Sequence, residues 1–149
     1  MDRGRRGSKH HLITCGQGNP LAVGLTAGNV NDVTQTLALV DRVPPVRGKR
    51  GRPRRRPKRL LGDRAYHSKK HRHALRARGI SARIARPKSV HGSGLGRERW
   101  VVERTLSWLH QYRRLRVRYE RREDIHEAFL AIGCSLICFK ALVRADALC

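Results

Sequence analysis

Asp63 and Glu103 are the residues in this sequence whose type and setting could do chemistry. Asp63 closes the apolar run Leu60-Leu61-Gly62, and Glu103 sits in Arg99-Trp100-Val101-Val102-Glu103-Arg104, 40 residues on (103 − 63). Acidic groups are scarce here, with 11 Asp+Glu against 34 Lys+Arg. A carboxylate at a strand end and another on a later helix suit divalent-metal chemistry on phosphate esters. Such chemistry needs hard oxygen ligands converging from separate elements, so that the metal activates the attacking oxygen and stabilises the leaving one. On spacing alone the plainer reading is stronger. Asp63 then caps a turn, and Glu103 pairs with Arg99 or Arg104. The metal reading also calls for a third acidic ligand.

The elements that would position these groups can be read from the pattern. Lys9–Thr14 and Leu21–Thr26 read as strands, joined through the turn formers Cys15-Gly16-Gln17-Gly18-Asn19-Pro20 as a hairpin. Asn29-Val30-Asn31-Asp32 offers capping side chains, with Asp32 read as a cap, and Val33 to Val43 has helical periodicity until Pro44-Pro45. Arg59 to Ala65 returns to strand character. Ser68 to Arg78 reads as a helix stopped by Gly79, and Ile80 to Ala85 as a short strand. Pro87 to Gly96 is a Gly/Ser/His loop. Helices follow from about Arg97 to Tyr112 and from about Asp124 to Val143, the latter the most apolar part of the chain. Trp100, Leu106 and Leu109 are the expected core face of the first, with Trp108 also packed inside; stacking on an unpaired base is the alternative for either tryptophan. The order is an α/β pattern in one domain, since 149 residues are too few for two comfortable ones.

The net charge of +23 and pI near 11.6 call for a polyanion, because so large an excess repels itself. DNA or RNA leads, and a membrane surface is the competitor. No run of about 18 apolar residues is read for spanning a bilayer, nor a signal peptide at Met1, so the expected setting is intracellular. The stretch 44–59, with its run RGKRGRPRRRPKR, reads as an exposed, mobile phosphate-binding loop in which Arg50, Arg52, Arg54, Arg55 and Arg56 meet DNA. Arg50-Gly51-Arg52-Pro53 has the form of a minor-groove arginine crescent as well. Arg113, Arg114 and Arg116 follow the Glu103 helix and read as backbone contacts, against a solvated face. Cys15, Cys134, Cys138 and Cys149 form no CxxC pair. Cys134 and Cys138 read as small buried hydrophobes. His67, His71 and His73 read as surface histidines rather than a metal cluster.

Ordered words along the chain go further than spacing does. Gly7-Ser8-Lys9-His10-His11-Leu12, then Pro20-Leu21-Ala22, Thr26-Ala27-Gly28-Asn29-Val30-Asn31-Asp32, Leu61-Gly62-Asp63-Arg64-Ala65-Tyr66 and Arg99-Trp100-Val101-Val102-Glu103-Arg104-Thr105 resemble the DDE transposases of bacterial insertion sequences. The resemblance is to the type-five group of the type-four/type-five superfamily, and it covers about Arg3 to Leu142. It implies a ribonuclease-H-like mixed sheet with flanking helices. Asp63 would be the second catalytic Asp and Glu103 the closing Glu, both ligating Mg²⁺ or Mn²⁺, with Arg99 and Arg104 near phosphate. The implied partners are the element's terminal repeats and target DNA, in the cytoplasm and nucleoid of a bacterium. The family's Tyr-Arg-Glu-Lys helix signature is matched at Arg99 and Glu103, whereas the Tyr position holds Gly96 and the Lys position His110.

The family's first Asp lies on a strand upstream of the Gly-Ser-Lys-His segment, where this sequence has only Asp2 in a basic run. The expectation is therefore a partial catalytic domain over 1–149, lacking its first strand. It would be a remnant or the downstream frame of a split transposase, inactive alone, with a second copy or an N-terminal fragment as partner. The alternative is a noncatalytic, sequence-nonspecific DNA-binding protein.

Overall fold

The computed structural model describes residues 7–47, 51–85 and 96–146. Strands β1 (Ser8–Thr14) and β2 (Pro20–Ala27), helix α1 (Gln35–Arg42), strand β3 (Arg59–Gly62), helix α2 (Lys69–Ala77), strand β4 (Ser81–Ile84) and helices α3 (Gly96–His110), α4 (Arg113–Arg116) and α5 (Glu123–Asp146) follow one another. The class is mixed α/β. The chain divides into two compact units, one made of Met1–Gly28 with Val101–Cys149, the other of Asn29–Trp100.

In the first unit β1 and β2 pair antiparallel from Ser8↔Ala27 to Ile13↔Ala22, with an irregularity between Ile13 and Thr14. The turn that closes this hairpin is pinned to α3. Thr105 is fully buried, and its hydroxyl lies 2.8 Å from the Gly18 carbonyl and 2.9 Å from that of Val101, so its one proton serves either oxygen. Arg104 donates to the Gln17 carbonyl at 2.6 Å. Gly18 has φ 93°, and a Cβ there would sit 2.7 Å from the Arg104 guanidinium, so turn conformation and close approach both require glycine.

The core of this unit is Leu109, Leu115, Leu130, Cys134 and Ile137, against which Leu12 and Val23 of the hairpin pack. The buried stripe of α3 is thus Val101, Thr105 and Leu109, at spacings of four. Trp108 joins the core in part, whereas Trp100, expected inside, is 50 % exposed. Its position, one residue before Val101, rotates it by about 100° off the buried stripe. Cys134 is buried and burial pushes its thiol up to about 11, while Cys138 is half-buried.

A polar chain also ties the hairpin to the helices. His10 Nε2 is 3.1 Å from His126 Nε2, His126 Nδ1 is 3.3 Å from Glu120 Oε2, and Glu120 Oε1 is 2.5 Å from Arg114. His126 is 1 % exposed, so these partners satisfy a ring that water does not reach. The Arg114 guanidinium is the main cause holding the Glu120 carboxyl down to about 2.

The longest helix bears on the membrane question. Among the described residues Glu123–Ala145 is long and apolar enough to cross a bilayer by length and composition, although no uninterrupted apolar run was read there. The charges that interrupt the run at Glu127 and Lys140 are too few to lower its average. Leu130, Cys134 and Ile137 of this helix face the core, while Ile132, Phe139 and Leu142 are more than half exposed.

The second unit contains a β–α–β crossover. β3 and β4 pair in parallel from Arg59↔Ser81 to Gly62↔Ile84, and α2 connects them, as a parallel pair requires. Ser68 caps α2, its hydroxyl accepting from the His71 N–H at 3.4 Å. Leu75 of α2 is fully buried with Ile80, Ile84 and the α1 residues Leu39 and Val40 nearly so. Arg72 of α2 donates to the carbonyls of Ala82 and Ile84, fixing the helix to β4. β3 stops at Gly62 rather than Ala65. The Asp63 side chain captures the Ala65 N–H at 3.0 Å and turns Arg64–Tyr66 into a 3-10 turn. The helix after Asn31 also begins differently from expectation. Asn31 is the cap, its Oδ1 accepting from Val33, and Asp32 lies inside the first turn.

Candidate functional site

Asp63 stands immediately beyond the carboxyl end of β3, the end at which open α/β sheets place their ligands. The local sequence puts it there. Leu60 and Leu61 make the strand, Gly62 packs close against Ile84, and the Asp side chain ends the strand by bonding the Ala65 N–H. The capping reading of Asp63 is therefore correct. It is compatible with ligation, since a carboxylate has about four lone-pair sites and this bond uses one. Asp63 is half-buried, so it is neither sealed from an ion nor fully solvated.

A second carboxylate shares this neighbourhood, and sequence reasoning missed it. Tyr66 has its phenol pushed up to about 12, chiefly by burial and then by the negative charges of Asp32 and Asp63. Both carboxylates thus lie near one phenolic oxygen. The signal that could have found Asp32 is the Asn-x-Asn-Asp order itself. With Asn31 available to cap, the next residue is released to point elsewhere.

Glu103 lies on α3 in the other unit, on the exposed side of the helix, opposite the stripe Val101–Thr105–Leu109. Its neighbour Arg104 is committed to the Gln17 carbonyl and stacks 4.6 Å over the Trp108 ring, so its guanidinium holds the hairpin turn rather than reaching out from the surface. As donors, Asp63 and Glu103 fit Mg²⁺ or Mn²⁺, which prefer carboxylate oxygen. Among the described residues no three His, Cys, Asp or Glu side chains are grouped to hold a metal ion. His71 bonds the Ser68 hydroxyl through Nδ1 at 3.0 Å, a local capping contact.

The basic residues sort into two kinds. Arg52, Arg54, Arg55 and Arg56 are exposed, as expected. The stretch is not wholly without structure, because Arg54 and Val46 exchange backbone hydrogen bonds of 2.8 and 2.9 Å. Arg56 also reaches the Arg78 carbonyl at 3.4 Å. Arg113 and Arg116 on α4 are exposed. Arg114, by contrast, is taken up by Glu120 and lies 5.2 Å over the Phe129 ring, so its first role is structural. Arg50, the side chain of Arg99, Asp2 and the loop at 86–95 lie outside the described residues.

The family model described as Transposase DDE domain matches residues 2–138. A Burkholderia cepacia protein named as a transposase for insertion sequence element IS402 is 60 % identical over 145 residues, covering 97 % of this chain and 69 % of its own length. No solved structure matches.

Proposed function

Because the chain belongs to the DDE-domain transposase family, we propose that it is part of the catalytic machinery of a type-five insertion-sequence transposase, with a ribonuclease-H-like arrangement and DNA ends as substrate. The reading is carried by Asp63, a half-buried carboxylate at the carboxyl end of a parallel strand in a protein of net charge +23. In such a protein every acidic group gains by pairing with the surrounding cations, so one placed at a ligand-binding strand end suits a bound cation that brings DNA phosphate with it.

Asp63 and Glu103 would hold Mg²⁺ or Mn²⁺, which when bound activates water and stabilises the leaving oxygen at the transferred phosphate. The chain's other groups orient and attract. Asp63 is fixed by the Ala65 N–H, Glu103 by the helix that Thr105 and Arg104 lock to the hairpin. The exposed arginines of 51–56 and of α4 neutralise DNA backbone on this reading. Two carboxylates of the triad are matched, and on this reading the chain binds metal and DNA through them and through its exposed arginines.

Calorimetric titration of the full chain with Mn²⁺ tests the assignment. Binding is expected in the wild type and is lost in Asp63→Asn and weakened in Glu103→Gln. Unchanged binding in Asp63→Asn would overturn it.

A further inference from the structure

An open cleft of about 730 Å³ lies within the first unit, between the hairpin turn, α3 and the last turns of α5. That volume is in the range of about 300–1,000 Å³ used for small-molecule sites. Three cations line it, Arg104, Lys140 and Arg144, and among the described residues no Asp or Glu does. The ligand it suits is therefore an anion. Charge alone would make it a patch of basic surface like many others on this protein, but its walls carry more. Trp108 stands in it with the Arg104 guanidinium stacked 4.6 Å over the ring. The bond from Arg104 to the Gln17 carbonyl keeps that planar pair in place. Gln17 and Gln111 line the same cleft, and each side-chain amide offers a donor and an acceptor.

A planar stacking platform, amides able to read a hydrogen-bonding edge, and cations for a negative group together describe the parts of a nucleotide. In a duplex the base faces are hidden by their neighbours and the edges by pairing, so only an unpaired nucleotide presents all three at once. We propose that this cleft holds one unpaired nucleotide of a DNA strand, its ring against the Arg104–Trp108 pair and its phosphate between Lys140 and Arg144. The assignment rests on DNA as the partner, and uses neither the carboxylates nor a metal. It gives Arg104 and Trp108 a shared role that neither a phosphate contact nor core packing explains by itself.

The test uses the full chain carrying Trp100→Phe, which leaves Trp108 as the one tryptophan. Its fluorescence is followed on titration with short oligothymidylate, with a duplex bearing an unpaired nucleotide, with a blunt duplex and with free thymidine monophosphate. Quenching is expected from the first two at low concentration, with free nucleotide at least about tenfold weaker because it lacks the rest of the strand. The double change Lys140→Ala and Arg144→Ala, both on the surface and away from the core, lowers single-strand affinity about tenfold. It also reduces the salt slope by about 0.7, the value for the one phosphate that the two side chains hold, and leaves blunt-duplex affinity unchanged. Equal quenching by the blunt duplex, free nucleotide binding as tightly as the strand, or an unaltered double variant would each overturn the cleft assignment while leaving Asp63-dependent metal binding intact. Absence of any DNA affinity in the wild-type chain would overturn the cleft assignment together with the DNA-substrate reading it rests on.

Discussion

Acidification should loosen this protein through His10 before its carboxylates are reached. His126 Nδ1 faces Glu120, which the Arg114 ion pair keeps ionised and hence purely an acceptor. Nδ1 of His126 therefore carries a proton, and in the neutral ring its Nε2 accepts, leaving His10 Nε2–H as the donor across the 3.1 Å contact. A proton added to His10 would put a charge on a ring already half-buried and beside three further imidazoles. Burial first, then His126, His110 and His11, lower its pKa from 6.5 to about 4. The unfolded chain takes up that proton near 6.5, the folded chain only near 4. Between those values unfolding binds a proton, so stability is full above about 6.5 and declines as pH falls toward 4. The difference of 2.5 units (6.5 − 4) has a ceiling of about 3.4 kcal/mol at 1.36 kcal/mol per unit, and solvent screening of a half-buried ring reduces this to about 1–2 kcal/mol. Urea melts of wild type and His10→Gln at pH 7.5, 6.5, 5.5 and 4.5 would read it (conditions chosen about the 6.5-to-4 window). The glutamine amide can still donate to His126 without titrating. The wild type should lose the stated stability across the window and the variant should lose less, by up to about 1.4 kcal/mol per pH unit for one proton. Identical slopes in the two proteins would show that His10 is not the titrating group and refute the reasoning.

Three further perturbations probe the contacts of α3 and the arginines of α4. Thr105→Val keeps the buried shape but leaves the Gly18 carbonyl without its hydroxyl donor, and should cost about 1–3 kcal/mol in a denaturant melt; a loss under about 0.5 kcal/mol would mean the turn is held by other contacts. Arg113→Ala with Arg116→Ala should lower duplex affinity and reduce the slope of log affinity against log salt by about 1.8, at roughly 0.9 per phosphate contact. Arg114→Ala should act on folding stability instead, because it uncovers the Glu120 carboxylate beside His126.

Much of the candidate site was legible from local pattern. The hairpin, the strand before Asp63 and the helix carrying Glu103 follow from propensities and turn residues within a few positions of each other, and these the chain obeys closely. The ordered motif words likewise pointed to the family that the whole-chain match shows. Element ends were less legible. β3 stops three residues early because one side-chain bond from Asp63 competes with continued extension.

The sequence by itself determined the charge, the order of elements and the position of Asp63 at a strand end, since these depend on composition and on neighbours in the chain. Only the tertiary structure decided which side of α3 is buried, because Trp100, Val101, Leu106, Trp108 and Leu109 offer overlapping apolar faces and the hairpin packs against just one. It also decided what each arginine is for. Arg104 and Arg114 look like any other cation in a basic sequence, and only the approach of residues 87 positions away, in the case of Gln17 and Arg104, or of a nearly buried glutamate, in the case of Arg114, turns them into parts of the fold. Charge is written locally, but the partner that uses it is set by long-range packing.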